Sequence, residues 1–353
     1  MNTDPDKLGG IKKLAVTLRQ QGQNEEAIRV LRAGLKKNSK DEDIAGYLSS
    51  IDDQVGIQFV KVRVENTNAC RYKCNMCPRE KMNRSTGIMP PDDYRFFLDR
   101  MEEYIEETNI PTPYSGMFFL HGYGEPLLDP KLAEKSAMVA DRFPSAEPHI
   151  NTTLGVRRKK SYFKTLLTKG KLKRVIVSFY GFQEKTYDKV HPGGNFRVAK
   201  ENLIYLAELN ASLGNHCQIW IQVLYPVTPT VMKQDPAEKK AFEDLMGVLR
   251  PLGVKVNKLD LHNHGDGRNF NPVDHGDLVC SVVDGRRRSH LNVTWDLKVV
   301  PCCFDYNADI VFGDLRTQSI KEIYESEEYR RFLNAHRYGG IDAYPLCKNC
   351  DQR

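Results

Sequence analysis

From about residue 57 onward, short runs rich in apolar and β-branched residues alternate with longer stretches of helical periodicity. Strands are predicted at 58–66 (QFVKVRVEN), 115–122 (SGMFFLHG), 148–153 (PHINTT), 174–180 (RVIVSFY), 217–225 (CQIWIQVLY) and 256–263 (VNKLDLHN). Helices fit between them at 91–107, 130–142, 158–169, 184–189 with 195–213, and 236–251. Strands alternating with helices imply parallel βαβ crossovers. Six units are fewer than the eight of a closed barrel. The α/β pattern therefore predicts an open, partial (β/α)6 barrel with its chemistry at the C-terminal ends of the strands.

The two ends of the chain read differently. Residues 7–51 carry apolar positions at three- and four-residue spacing, broken at Gly22-Gln23-Asn24. This predicts a helical hairpin, and Leu14, Gly22, Ala27 and Leu31 resemble one tetratricopeptide-type unit. One unit cannot build a solenoid, so a cap on the main domain is the first reading and an arm for a protein partner the second. After about residue 275, LNVTWDLKVVPCC (291–303) reads as a β-hairpin, 319–337 as one helix, and YPLCKNCDQR as a tail. The expected division is 1–55, 56–275 and 276–353.

Composition narrows the function. Hydrophobic residues make up 40% and charged residues 28% of the 353, which is ordinary for a soluble chain. The net charge of +6 is too diffuse to point to nucleic acid, though it favours an anionic small molecule or partner. Arg286-Arg287-Arg288 is the one dense basic run; it reads as a solvated loop, with a phosphate or carboxylate contact as the alternative. No stretch has the length and apolarity of a membrane span, and the N-terminus lacks a signal-peptide core. A cytoplasmic location is expected. There, nine cysteines point to metal or redox chemistry before disulfides.

Cys70, Cys74 and Cys77 form a Cys-x3-Cys-x2-Cys loop at the end of the first predicted strand. Three thiolates hold three irons of a cubane [4Fe–4S] cluster and leave the fourth open to a small molecule. The alternative is structural zinc completed by a distant residue, although zinc sites more often pair Cys-x2-Cys with a second pair or with histidines. Cys280, Cys302-Cys303 and Cys347-x2-Cys350 supply five further cysteines, of which four close either a zinc or a [4Fe–4S] site. Spacing alone leaves those two equal. Cys217 reads first as a buried structural cysteine.

CRYKCNMC resembles the signature of the radical S-adenosylmethionine (SAM) enzymes. In that family the backbone at Met76 approaches the adenine of SAM. HGYGEP (121–126) resembles the family's Gly-Gly-Glu-Pro motif, with Gly122 and Gly124 kept and Tyr123 in place of the second glycine. The resemblance gives Glu125 the ammonium of the methionine moiety; the plainer reading is a helix-start acid. Asn151 and Thr152 sit where the family has a Thr-Asn-Gly strand end, and Ser178 where a contact to SAM is common. The family's fifth-strand motif is not evident in CQIWIQVLYP. The C-terminal segment resembles a SPASM/twitch extension of the shorter kind, with one auxiliary [4Fe–4S] cluster. Its spacing puts Leu297 at the family's glycine and selects Cys302, with Cys280, Cys347 and Cys350, leaving Cys303 spare.

The resemblance implies a 5′-deoxyadenosyl radical that takes a hydrogen from a polar, sugar-like small molecule. Dehydrogenation and epimerisation are the two outcomes, and Cys217 is the candidate hydrogen donor for the second. An electron donor such as flavodoxin or ferredoxin is implied. Peptide modification is the rival within the family, and a zinc-binding scaffold the rival outside it.

Overall fold

A computed structural model describes residues 5–21, 23–37, 44, 57, 59–108, 110, 112–265, 267–268, 280, 282–283, 290–338 and 340–351. Gly22 and the Arg286–Arg288 run lie outside them.

The N-terminal hairpin consists of α1 (Pro5–Gln20) and α2 (Asn24–Lys37). Ala15, Ala27, Leu31 and Ile44 form a small core of their own, with Ile11 and Leu18 against it. The packed face of α1 runs through positions 11, 15 and 18, which leaves Leu14 at its edge and 50% exposed.

Six strands follow: β1 (Lys61–Val64), β2 (Met117–Phe119), β3 (Glu147–Thr152), β4 (Arg174–Ser178), β5 (Gln218–Tyr225) and β6 (Lys255–Asp260). Each pairs in parallel with its sequence neighbour, with Val62 opposite Phe118 and Ile176 opposite Trp220. The crossovers carry α3 (Pro91–Glu107), α4 (Leu132–Arg142), α5 (Lys160–Thr168), α6 (Glu184–Val190), α7 (Phe196–Ser212), α8 (Val227–Gln234) and α9 (Pro236–Leu249). Tyr94, Phe97, Leu98, Met101 and Ile105 line the inner face of α3 at helical spacing, the pattern that buries one stripe of a helix. Helix α8 departs from the sequence reading, because Pro226, Pro229 and four β-branched residues disguise it.

The sheet does not stop at β1. A seventh strand, β7 (His290–Val293), pairs with β1 in parallel and continues into β8 (Lys298–Val300) and β9 (Gly313–Asp314), both antiparallel. The predicted hairpin is therefore present and is welded to the barrel. Leu297, at the position the family fills with glycine, has φ 71°, the left-handed region that glycine enters most easily. The predicted helix 319–337 is two: α10 (Ile320–Tyr324) and α11 (Glu327–Tyr338). Ser319 and Glu322 form a capping box on the first, and Ser326 Oγ accepts from the Tyr329 amide to start the second. A short helix, α12 (Pro345–Lys348), carries Cys347. Leu291, Phe312, Phe332 and Cys347 share one continuous core with the barrel residues.

Candidate active site

The loop after β1 is set by polar side chains that turn inward. Asn66, Thr67 and Asn68 are fully buried. Asn68 Nδ2 donates to the Ser85 carbonyl and its Oδ1 accepts from the Gly87 amide, both at 2.8 Å. Thr67 Oγ1 donates to the Gly87 carbonyl at 2.8 Å. Asn66 donates to Asp129, which also takes the fully buried Lys135 ammonium at 2.6 Å. A second backbone, residues 85–89, is thereby held antiparallel to the start of the cysteine loop, with Thr67 opposite Ile88.

On the outer side, the loop rests on the turn after α6. Lys73 N donates to the Pro192 carbonyl and Asn75 N to that of Val190. Cys74 Sγ lies 3.0 Å from Nδ1 of His191, a buried ring stacked on Tyr180. Burial holds His191 neutral, with its pKa lowered to about 3. Arg268 donates to the carbonyls of Cys74 and Cys77. His191 and Arg268 were invisible from sequence: each is a lone polar residue in a loop, and only the fold brings them to the cysteines.

The end of β2 forms the adjoining wall. Glu125 N donates to the Ala69 carbonyl at 2.8 Å. A Cβ on Gly124 would stand 2.2 Å from the Thr67 carbonyl oxygen, so only glycine lets the two backbones meet. The Glu125 carboxylate accepts from Thr152 Oγ1, the Leu127 amide, and the amide and hydroxyl of Thr153. Four donors occupy its two oxygens, and the carboxylate ties β2 to β3. Glu125 starts a short 3-10 turn, as its plainer sequence reading expects, and it also lines the cavity. Tyr123, the departure from the family motif, donates from its hydroxyl to the Cys303 carbonyl at 2.5 Å and bridges to the C-terminal segment. Glu65 makes a two-pronged ion pair with Arg84 at 2.6 and 2.7 Å, and Arg84 Nε reaches the Tyr306 carbonyl. Charge-assisted forks of this kind fix geometry as well as charge.

These walls enclose an open cavity of about 650 Å³. Cys70, Met76, Gly122, Gly124, Glu125, Asn151 and Ser178 all line it, as do Cys74 and Cys77. Cys302 and Cys303 line the facing side. Asn151 Oδ1 is buried with no hydrogen-bond partner, and the Tyr180 hydroxyl lies 3.2 Å from Ser178 Oγ.

Cys217 is elsewhere. It immediately precedes β5, at the opposite end of the strand from the cavity, and is 2% exposed within the core. Its backbone is clamped by Asn210. The hydrogen-donor reading fails on this placement, because the chemistry lies at the C-terminal ends of the parallel strands; the structural reading stands.

The cysteine groups fit iron–sulfur clusters. All nine thiols are free of disulfides. Burial raises the thiols of Cys74 and Cys77 and pushes Cys70 up to about 11, so binding metal must release protons. Among the described residues no three His, Cys, Asp or Glu side chains close around a single ion. A cubane spreads its thiolates over several irons, which suits that spacing better than zinc. Burial also raises Cys302, and the nearby Cys303, Cys347 and Cys280 add to the effect, so these thiols share one neighbourhood. The Cys347-x2-Cys350 turn is fastened beneath β6: Asn263 donates to the Asn349 carbonyl and its amide to Asp351.

Residues 64–220 match the radical SAM superfamily and residues 280–351 an iron–sulfur cluster-binding domain, SPASM. The S-adenosyl-L-methionine-dependent 2-deoxy-scyllo-inosamine dehydrogenase of Niallia circulans is 24% identical over 298 residues, 83% of this chain and 93% of that protein. BtrN, solved with AdoMet and 2-DOIA, superposes with a TM-score of 0.52 at 22% identity, covering 83% of this chain and 93% of its own. Streptococcus suis SuiB bound to precursor peptide SuiA gives 0.57 at 11% identity, over 88% of this chain and 75% of its own. The cysteine loop, the Gly-Glu-Pro strand end and both domain matches agree: the chain belongs to the radical SAM superfamily, with a SPASM-type iron–sulfur domain at its C-terminus.

Proposed function

We infer that this radical SAM enzyme dehydrogenates a polar, sugar-like small molecule. The observation that carries the reading is a shared cavity: Cys70, Cys74 and Cys77 line one side and Cys302 and Cys303 another, and its volume of about 650 Å³ lies in the range of small-molecule sites. The similarity to an inosamine dehydrogenase supports the same class of substrate.

A [4Fe–4S] cluster on Cys70, Cys74 and Cys77, with SAM on its open iron, supplies a 5′-deoxyadenosyl radical able to take hydrogen from an unactivated C–H bond. The chain's own residues prepare for that. Gly124 lets the β2 end approach the cysteine loop closely enough to share one ligand between them. Glu125 locks the ends of β2 and β3 in register, which fixes Asn151 and its unpartnered carbonyl at the cavity wall. Met76 and Ser178 are the further contacts assigned to SAM. Tyr123 and the Glu65–Arg84 pair close the C-terminal segment over the cavity, holding substrate in place and limiting water. Cys280, Cys302, Cys347 and Cys350 would hold one auxiliary [4Fe–4S] cluster with no iron left open.

Dehydrogenation is favoured over epimerisation by the similarity to an inosamine dehydrogenase. Cys217 does not line the cavity, and the spare Cys303, which does, is the one thiol among the described residues left to test as a hydrogen donor. The electron for SAM cleavage comes in this reading from a small redox protein of the flavodoxin or ferredoxin type. The test is a screen of C-deuterated polyols and of short peptides with the reduced, reconstituted enzyme. Deuterium carried from a polyol into 5′-deoxyadenosine, with a ketone as product, is the expected result. Transfer from peptides alone would replace the substrate class, and a product of inverted configuration would replace the reaction.

A further inference from the structure

The base of the cavity contains a hydrogen-bond conflict. Arg63 on β1 and His121 after β2 both line it, with Arg63 Nη1 3.1 Å from His121 Nε2. His121 Nδ1 lies 3.2 Å from the Asn151 amide, which can only donate. Nδ1 is therefore the acceptor, and a neutral imidazole must carry its one proton on Nε2. That N–H faces an arginine N–H, donor against donor. Protonating the ring makes matters worse, since both nitrogens would then donate, and burial together with Arg63 disfavours it.

The charge balance has the same sense. Among the described residues Arg63 has no ion pair; it lies over the Phe119 ring at 5.0 Å. The cavity's acids are all engaged elsewhere: Glu65 with Arg84, Glu125 with four donors, Asp260 with Lys258, and Asp305 with the amides of Asp309 and Ile310. Lys61, two residues before Arg63 on the same strand, also lines the cavity. Behind Phe119 lies His149, 1% exposed, with neither ring nitrogen bonded. An ammonium at this spot would meet Arg63 with no counter-charge. An oxyanion would accept from both Arg63 and His121 and remove the conflict.

We propose that Arg63 and His121 form an oxyanion subsite, so that the sugar-like substrate carries a carboxylate or a phosphate. This rests on the small-molecule reading of the cavity and specifies its substrate class. The test is calorimetric titration of the reconstituted holoenzyme with four probes: myo-inositol, glucosamine, glucuronate and myo-inositol 1-phosphate. Hydrogen bonds to charged groups are the stronger kind, so at least one anionic probe should bind about tenfold or more tighter than either uncharged or cationic one. Preference for glucuronate or for the phosphate identifies which oxyanion is used. Arg63→Gln should lose the preference and Arg63→Lys should keep most of it, each compared at matched iron content and SAM affinity. Equal binding of all four probes, binding of none, or a preference unchanged in Arg63→Gln overturns the subsite. Substrate-free SAM cleavage by the wild-type enzyme reads the parent assignment separately: if that cleavage is absent the enzymatic reading fails, whatever the anions do.

Discussion

At the scale of single residues, the site is made by side chains that do no chemistry themselves. Asn68, Glu125 and Arg84 spend their hydrogen bonds on bringing three backbones together. The choice between adjacent cysteines is the sharpest residue-level question. With Cys302 assigned as a ligand and Cys303 as spare, Cys302→Ala should lower iron from about eight to about four per chain, while Cys303→Ala should keep all of it. Iron analysis decides, and the opposite pattern would exchange the two roles. His149 gives a second prediction. Unfolded, it gains a proton below about pH 6.5. Folded, burial and the charges of Arg174, Arg63 and Lys61 delay this to about 3. Between those values the unfolded chain binds the extra proton, so stability falls as pH drops through that window, by at most about 1.4 kcal/mol per unit. Denaturation curves of His149→Gln should show a shallower loss between pH 6.5 and 4; an unchanged slope would place the acid sensitivity elsewhere.

At the scale of elements, strand and helix order along the barrel was legible because amphipathic spacing and β-branched runs are local signals. What escaped was pairing across long sequence distance. Nothing in HLNV marks it as the neighbour of β1, since its alternation of polar and apolar residues suits a strand at many places in a sheet. Helix α8 hid behind prolines, and the break between α10 and α11 behind an unbroken charged pattern. The β1–β7 pairing has a consequence. Removing residues 290–353 strips Leu291 and Val293 from the core and leaves β1 as a bare edge. The truncated chain should be insoluble or lack cooperative unfolding, measured by soluble yield and far-UV circular dichroism. A soluble 1–289 fragment that still binds SAM would show that the barrel stands alone.

At the scale of the whole molecule, the cysteine loop was legible from spacing, and its fit to an open-iron cluster survives the structure. Its supports were not: His191 and Arg268 come from loops 117 and 194 residues away from Cys74. Cys217 shows the converse error, a chemically suggestive residue whose place at the wrong end of a strand removes it from the site. The architecture joins a barrel, a cysteine loop and a second cysteine group around one cavity, and its central claim is reductive SAM cleavage. The direct measurement is 5′-deoxyadenosine formed when anaerobically reconstituted protein is reduced in the presence of SAM. The account predicts a brown protein that forms 5′-deoxyadenosine and methionine in equal amounts, with formation lost in Cys70→Ala. A colourless protein that binds only zinc and yields no 5′-deoxyadenosine would contradict it.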